Sequence, residues 1–214
     1  MIKLLNGDCL DLLDDIPDNS VDIVYTDAPY IPPLHSSTLT KYKKSLSEMG
    51  ILECFYKRYL EKIDRVLKDD GILLLYCNSD SYPMFYIHLY PYVKKMRCFI
   101  WDKISCSLGY TFRHQHEMIL CGERMNMKCI KCGTGDIFKY KSVKANTKSH
   151  PAEKPVDLHI HILKNIVNED KVVLDTFMGT GSIGVACKEL GCKYIGMELE
   201  HSYYEVAKKR MNYV

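Results

Sequence analysis

Apolar positions along the chain follow two rhythms that alternate. Short runs dense in Val, Ile, Leu and Tyr occur at Ile2–Leu5, Val21–Thr26, Ile72–Cys77, Cys98–Asp102, Glu117–Cys121, Val172–Asp175 and Tyr194–Glu198. They are short and rich in β-formers, so they predict strands. Between them the period changes. Over Glu48–Lys68, residues Ile51, Leu52, Phe55, Tyr59, Leu60, Ile63, Val66 and Leu67 recur at spacings of three and four, one face of a helix, with Asp70-Gly71 as its stop. Further helices are predicted over Ser81–Tyr90, Pro155–Val167, Ser182–Leu190 and Ser202–Asn212. Strands separated by such helices imply crossover connections, hence an α/β fold with a mostly parallel sheet. Residues 31–46 and 122–151 break both rhythms and predict two insertions on a single domain spanning 1–214.

Composition narrows the class. A hydrophobic content of 47% with 26% charged residues fits a globular protein, and no apolar run approaches the roughly 18 residues of a membrane span. The opening Met1–Asp8 turns polar too soon for a secretory signal, and ten cysteines in that setting predict reduced thiols in a cytoplasmic protein. The net charge of +2 conceals an uneven distribution. Between Arg124 and Lys148 one Arg and six Lys face one acid, Asp136, so a basic segment sits on an otherwise slightly acidic chain, the footprint expected for a polyanion.

Two stretches carry candidate chemistry. Lys171–Glu200 reads as strand, glycine turn, helix, strand and acid: Gly179, Gly181 and Gly184 fit G-x-G-x-x-G, and Glu198 ends the following strand. Such a turn lets a ligand approach backbone and helix N-terminus while the carboxylate meets ribose hydroxyls, which predicts an adenosine-type cofactor, a nicotinamide dinucleotide or S-adenosylmethionine. Only about 30 residues follow, so the rest of the sheet must come from upstream, unlike a dinucleotide domain that opens with this unit. The second stretch is Asp27-Ala28-Pro29-Tyr30, a carboxylate, a stiffened turn and an aromatic ring at the end of an apolar run.

In this order the motifs resemble those of the permuted, beta-class amino-group DNA methyltransferases of the adenine-N6/cytosine-N4 family. Asp27–Tyr30 resembles the family's Asp-Pro-Pro-Tyr tetrad, with Ala28 where a proline is usual. Asp175–Gly181 resembles its Asp-Pro-Phe-x-Gly-Ser-Gly loop, His150–Pro155 the segment leading into it, and Asn6–Cys9 its Gly-Asp entry turn. The resemblance implies a doubly wound, seven-stranded sheet of the S-adenosylmethionine-dependent methyltransferase type, strand order 3-2-1-4-5-7-6 in that family's numbering, with circularly permuted motifs. It implies S-adenosylmethionine as cofactor and double-stranded DNA as partner, with a homodimer and a cognate restriction enzyme as further expectations, and methylation of an exocyclic amino group, adenine favoured by the initial Asp. The alternatives are a cytosine amino group and an inactive nucleic-acid-binding relative.

Roles follow from resemblance and chemistry together. Asp27 and the Ala28 carbonyl would accept hydrogen bonds from the amino group, and Pro29 and Tyr30 would shape the turn and stack on the extruded base. Glu198 would take the ribose hydroxyls and Asp8 the adenine of the cofactor. Asp175, Thr176, Phe177, Gly179 and Gly181 would hold its methionine end, and Lys154 the methionine carboxylate. DNA contacts would come from Lys41, Lys43 and Lys44 in the first insertion, and from Arg124, Lys128, Lys131, Lys139 and Lys141 in the second. Cys129 and Cys132 have the spacing of half a zinc knuckle, with Cys121 among the residues able to join them; a full second pair is missing, so no metal is expected.

Overall fold

The computed structural model describes residues 1–30, 49–106, 112–125, 133–143 and 153–213; Lys41, Lys43, Lys44, Lys128, Lys131, Cys129 and Cys132 lie outside them. Along the described chain run β1 (Ile2–Asn6), a short α1 (Cys9–Leu12), β2 (Val21–Thr26), α2 (Met49–Val66), β3 (Leu67–Cys77), α3 (Tyr82–Leu89), β4 (Lys95–Asp102) and β5 (His116–Glu123). They are followed by β6 (Ile137–Lys139), α4 (Val156–Leu163), β7 (Val172–Asp175), α5 (Ser182–Glu189), β8 (Lys193–Glu198) and α6 (His201–Met211). One sheet holds all eight strands in the order β1-β8-β7-β2-β3-β5-β4-β6. Only β5 runs antiparallel to its neighbours. Its first seven positions are the order expected from the family resemblance, and β6 extends the edge.

Strand alternation divides the core. Ile23 and Tyr25 of β2, and Ile72, Leu74 and Tyr76 of β3, join one buried layer with Leu158, Ile162 and Leu163 of α4, Ala186 of α5 and Met211 of α6. Their neighbours Val24, Leu73, Leu75 and Cys77 join the other, against Leu52, Tyr56, Tyr59, Leu60 and Ile63 of α2 and Phe85 of α3. This is the doubly wound arrangement, with helices on both faces because residues i and i+1 point opposite ways.

Two sequence expectations are corrected. The helix over Glu48–Lys68 does not stop at Gly71: α2 gives way at Leu67 to β3, and Gly71 lies inside that strand. The pairing of β2 with β3 slips there, from Val21 opposite Leu67 to Ile23 opposite Ile72, and a Cβ on Gly71 would sit 2.6 Å from Leu67 Cδ1, so the glycine answers close approach within an irregular strand. The second insertion is not all loop. Phe138 is buried in the core and packs edge-on against Phe99 and His161, which holds Ile137–Lys139 on β4 as the eighth strand. Three residues are too few to show a period in sequence.

Candidate active site

β2 and β7 lie side by side although far apart in sequence, the switch point at which doubly wound sheets bind ligands beyond their C-terminal strand ends. Those two ends carry Asp27 and Asp175. Thr26 Oγ1 donates to Asp175 Oδ1 at 2.8 Å across the pair, Tyr194 Oη donates to Oδ2 at 3.1 Å and the Phe177 amide to Oδ1 at 3.3 Å. Burial pushes the Asp175 carboxyl up to about 7 despite these donors.

From Asp175 the chain turns through Thr176–Gly181. Gly179 (φ +52°) and Gly181 (φ +80°) occupy the left-handed region, where a side chain is strained. Their surroundings differ. A Cβ on Gly179 would meet nothing within 4 Å, whereas one on Gly181 would reach Met211 Cε at 2.7 Å and Ala207 Cβ at 3.1 Å. Gly181 therefore seats the turn on α6, and Gly179 leaves space for something else. Glu198, at the end of β8, accepts from the Gly179 amide at 2.8 Å and from the Glu200 amide at 2.8 Å. Arg210 of α6 donates to both the carbonyl and the hydroxyl of Thr180 at 3.0 Å and pairs with Glu153 Oε1 at 2.8 Å.

A cavity of about 200 Å³ opens between these parts, lined by Asp27, Tyr76 and Lys154 together with Asp175, Gly179 and Glu198. On its wall His159 is buried, with Nδ1 3.0 Å from Tyr25 Oη and Nε2 3.3 Å from Ser182 Oγ; burial lowers its pKa to about 3, so the ring is neutral. Asp27 accepts from Lys154 Nζ through Oδ2 at 2.6 Å, while its Oδ1 is buried with no hydrogen-bond partner among the described residues. Burial raises the Asp27 pKa against the pull of Lys154. Lys154 also lies 3.2 Å from Glu117 Oε2 and 5.1 Å from the centre of the Tyr76 ring. Ala28 is fully buried among the α2-side core residues, and Tyr56 Oη donates to the Pro29 carbonyl at 2.6 Å. The tetrad is thus anchored by packing from α2 at the point where the usual proline ring is missing.

A family model described as DNA methylase, of the N6/N4 methyltransferase kind, matches residues 123–209, from the end of β5 through most of α6. The type II methyltransferase M.HinfI of Haemophilus influenzae is 26% identical over 97% of this chain and 67% of its own length. M.BglII of Bacillus subtilis is 25% identical over 96% of this chain and 67% of its own. The chain resembles the N6/N4 DNA methylases in sequence. Solved structures share the fold: PvuII DNA methyltransferase (cytosine-N4-specific) at a TM-score of 0.79 and 16% identity, covering 100% of this chain and 88% of that one, and the M1.HpyAVI–SAM complex at 0.74 and 22%, covering 99% and 100%.

The sequence-derived residues divide. Asp27, Asp175, Phe177, Gly179 and Glu198 line one cavity together. Tyr30 is half-buried. Thr176 is buried and bonded to Tyr59 Oη at 2.7 Å, and Asp8 is exposed and caps α1 through the Leu10 amide at 2.8 Å; neither lines the cavity. Lys154 lies in the cavity beside Asp27, held by two carboxylates. Arg124 is engaged by its own fold, donating to the Leu67 carbonyl at 2.6 Å, to the Asp64 carbonyl at 2.9 Å and to the Asp64 carboxylate. Lys139 and Lys141 are exposed at the end of β6, beside the C-terminal end of β4, and Cys121 is buried in β5. Sequence patterns point to no role for Glu117, Arg210, His159 or Tyr76, whose partners come from remote segments.

Proposed function

We propose that the chain is an S-adenosylmethionine-dependent DNA methyltransferase acting on the exocyclic amino group of a base extruded from the duplex, adenine in preference. The observation that carries this reading is Asp27 Oδ1, a buried carboxylate oxygen without a hydrogen-bond partner among the described residues, in a cavity that a glycine turn and a strand-end acid also line. An unpaired buried acceptor is costly unless a ligand donates to it.

The residues fit the cofactor. Open space over Gly179 admits a ligand against the backbone, Glu198 offers carboxylate oxygens for ribose hydroxyls, and Asp175 offers a carboxylate for an amino group. When bound, S-adenosylmethionine supplies an electrophilic methyl group on a sulfonium. The protein's work is on the base. An amino nitrogen conjugated to its ring is a weak nucleophile; accepting its N–H bonds at Asp27 Oδ1 and at the Ala28 carbonyl localises the lone pair and aims it. On gaining the methyl group the amino nitrogen would shed one proton, for which the Asp27 carboxylate or water is the acceptor. Positioning and electrostatics supply most of the acceleration. Tyr30 stacks on the extruded base, which must leave the helix to be reached.

Lys139 and Lys141 reach phosphates from the sheet edge, joined by the lysines of residues 31–46 and by Lys128 and Lys131, all on one domain. A homodimer and a cognate restriction enzyme are the partners this reading carries with it. Incubation with labelled S-adenosylmethionine and unmethylated DNA of varied sequence, followed by digestion to nucleosides and mass spectrometry, tests it. Label in N6-methyladenine is expected. Label solely in N4-methylcytosine moves the target, and no label in any nucleoside with the cofactor bound overturns the reading in favour of an inactive binding relative.

A further inference from the structure

Four charged side chains from four segments form one continuous chain that reaches the cavity at Asp27. Lys103, just past β4, donates to Glu117 Oε1 at 2.6 Å; Glu117 Oε2, at the start of β5, lies 3.2 Å from Lys154 Nζ; and Lys154, ahead of α4, donates to Asp27 Oδ2 at 2.6 Å. The signs alternate and sum to zero. Side-chain exposure falls to 5% at Lys154 and is 17% at Glu117 and 21% at Asp27, so water screens these pairs little. Buried ion pairs of this kind add little net stability, since desolvation offsets most of the attraction. The chain also ends in an unused acceptor: Asp27 Oδ1 and Glu117 Oε2 are the two buried side-chain oxygens that lack a hydrogen bond among the described residues.

We propose that Glu117 is a positioning residue for the methyl-transfer reading given above: by holding Lys154 from the side away from Asp27, it confines the ammonium to Oδ2 and leaves Oδ1 aimed at the base. A lysine with three donors and a single carboxylate beside it is drawn across both oxygens of that carboxylate, where it competes with the incoming amino group. The second carboxylate divides the pull. Burial works against the Glu117 carboxylate, but Lys154 and Lys103 outweigh it and hold its pKa below the usual value; burial likewise works against the Lys154 ammonium, and the Asp27 and Glu117 carboxylates outweigh it. The charged groups acting on Asp27 are Lys154, Glu117 and Lys103, and the Asp175 carboxyl on the adjacent strand end interacts with it as well. The neighbouring Tyr25, Tyr30, Tyr56, Tyr76 and Cys77 all have raised pKa values and remain neutral through neutral pH.

The test reads Asp27 directly and needs no turnover. Protein labelled with ¹³C at aspartate carboxyls is titrated by NMR, with Asp27 assigned from Asp27→Asn, in the parent and in Glu117→Gln and Lys154→Met, each checked for an intact melting transition. Removing the neighbouring negative charge is expected to move the Asp27 midpoint to lower pH, and removing the positive charge to move it to higher pH; a merely structural role moves both variants the same way or neither. With methylation measured alongside, Glu117→Gln is expected to lower kcat roughly 10- to 100-fold, as displacement of a reacting group does. Its affinity for S-adenosylhomocysteine should hold within about twofold, and Glu117→Asp should restore part of the rate. An unmoved Asp27 midpoint, or full kcat in Glu117→Gln, overturns the inference. Failure of the parent protein to methylate any base while the two midpoints move oppositely overturns the methyltransferase reading alone.

Discussion

At the scale of single residues, the cavity holds two carboxylates in different surroundings. Asp175 is enclosed by donors and raised by burial to about 7, while one oxygen of Asp27, beside a lysine, has no hydrogen-bond partner among the described residues. The first has a consequence for stability. The folded state holds the Asp175 proton up to about pH 7, whereas an unfolded aspartate loses it near 4. Its contribution is therefore fully present below about 4 and lost as pH rises through about 7. Asp175→Asn is expected to raise the melting temperature of the ligand-free protein at pH 8 relative to the parent, with the gain shrinking as pH falls toward 4. It is also expected to weaken S-adenosylhomocysteine binding at least tenfold in calorimetry. A gain that is the same at every pH would contradict the assignment. Asp27, Asp175 and Glu198, which line one cavity, were legible in the sequence through the tetrad and glycine-turn patterns around them rather than as isolated acids. The pairing of Lys154 with Asp27 and Glu117 was not, since it is set by where β5 and the segment before α4 meet. Sequence order gives no distance between them.

At the scale of elements, the glycine turn is a joint between β7, α5 and α6. A Cβ on Gly184 would lie 2.4 Å from Met211 Sδ and 2.7 Å from the Tyr194 ring. Gly184→Ala should therefore destabilise the fold by about 1–3 kcal/mol through overpacking, read by urea unfolding, while Gly179→Ala, strained in φ but unopposed in space, should act mainly on ligand binding. Arg210 ties the turn to the last helix and to Glu153. Arg210→Met is expected to lower S-adenosylhomocysteine affinity about tenfold with a melting temperature close to that of the parent. Equal affinity would mean that α6 has no part in holding the ligand. Most elements were legible because their periods of two and three-to-four residues are long enough to count. The exceptions were short or irregular: β6 is held by one buried Phe, and β3 begins before Gly71 because its pairing with β2 slips.

At the scale of the whole molecule, permuted motif order and sheet topology express one fact. Strands from the two ends of the sequence meet at β2 and β7, so Asp27 and Asp175 stand side by side at a single switch point. The topology was legible through the motif order and not through strand patterns, which do not distinguish one parallel order from another. The exposed lysines of β6 extend the same edge. Replacing Lys139 and Lys141 together by Ala should weaken DNA binding without regard to sequence, and flatten the slope of log K against log salt by about 1 for each phosphate no longer neutralised. An unchanged slope would place the DNA elsewhere. The proposed mechanism turns on Asp27 engaging the amino group that receives the methyl. Transfer of labelled methyl from S-adenosylmethionine to DNA by the Asp27→Ala protein, with cofactor binding measured on the same preparation, reads that step. Bound cofactor and a loss of transfer of at least about 100-fold are predicted, as removal of a charge-stabilising acceptor at a reacting centre produces; near-parental transfer would contradict the mechanism.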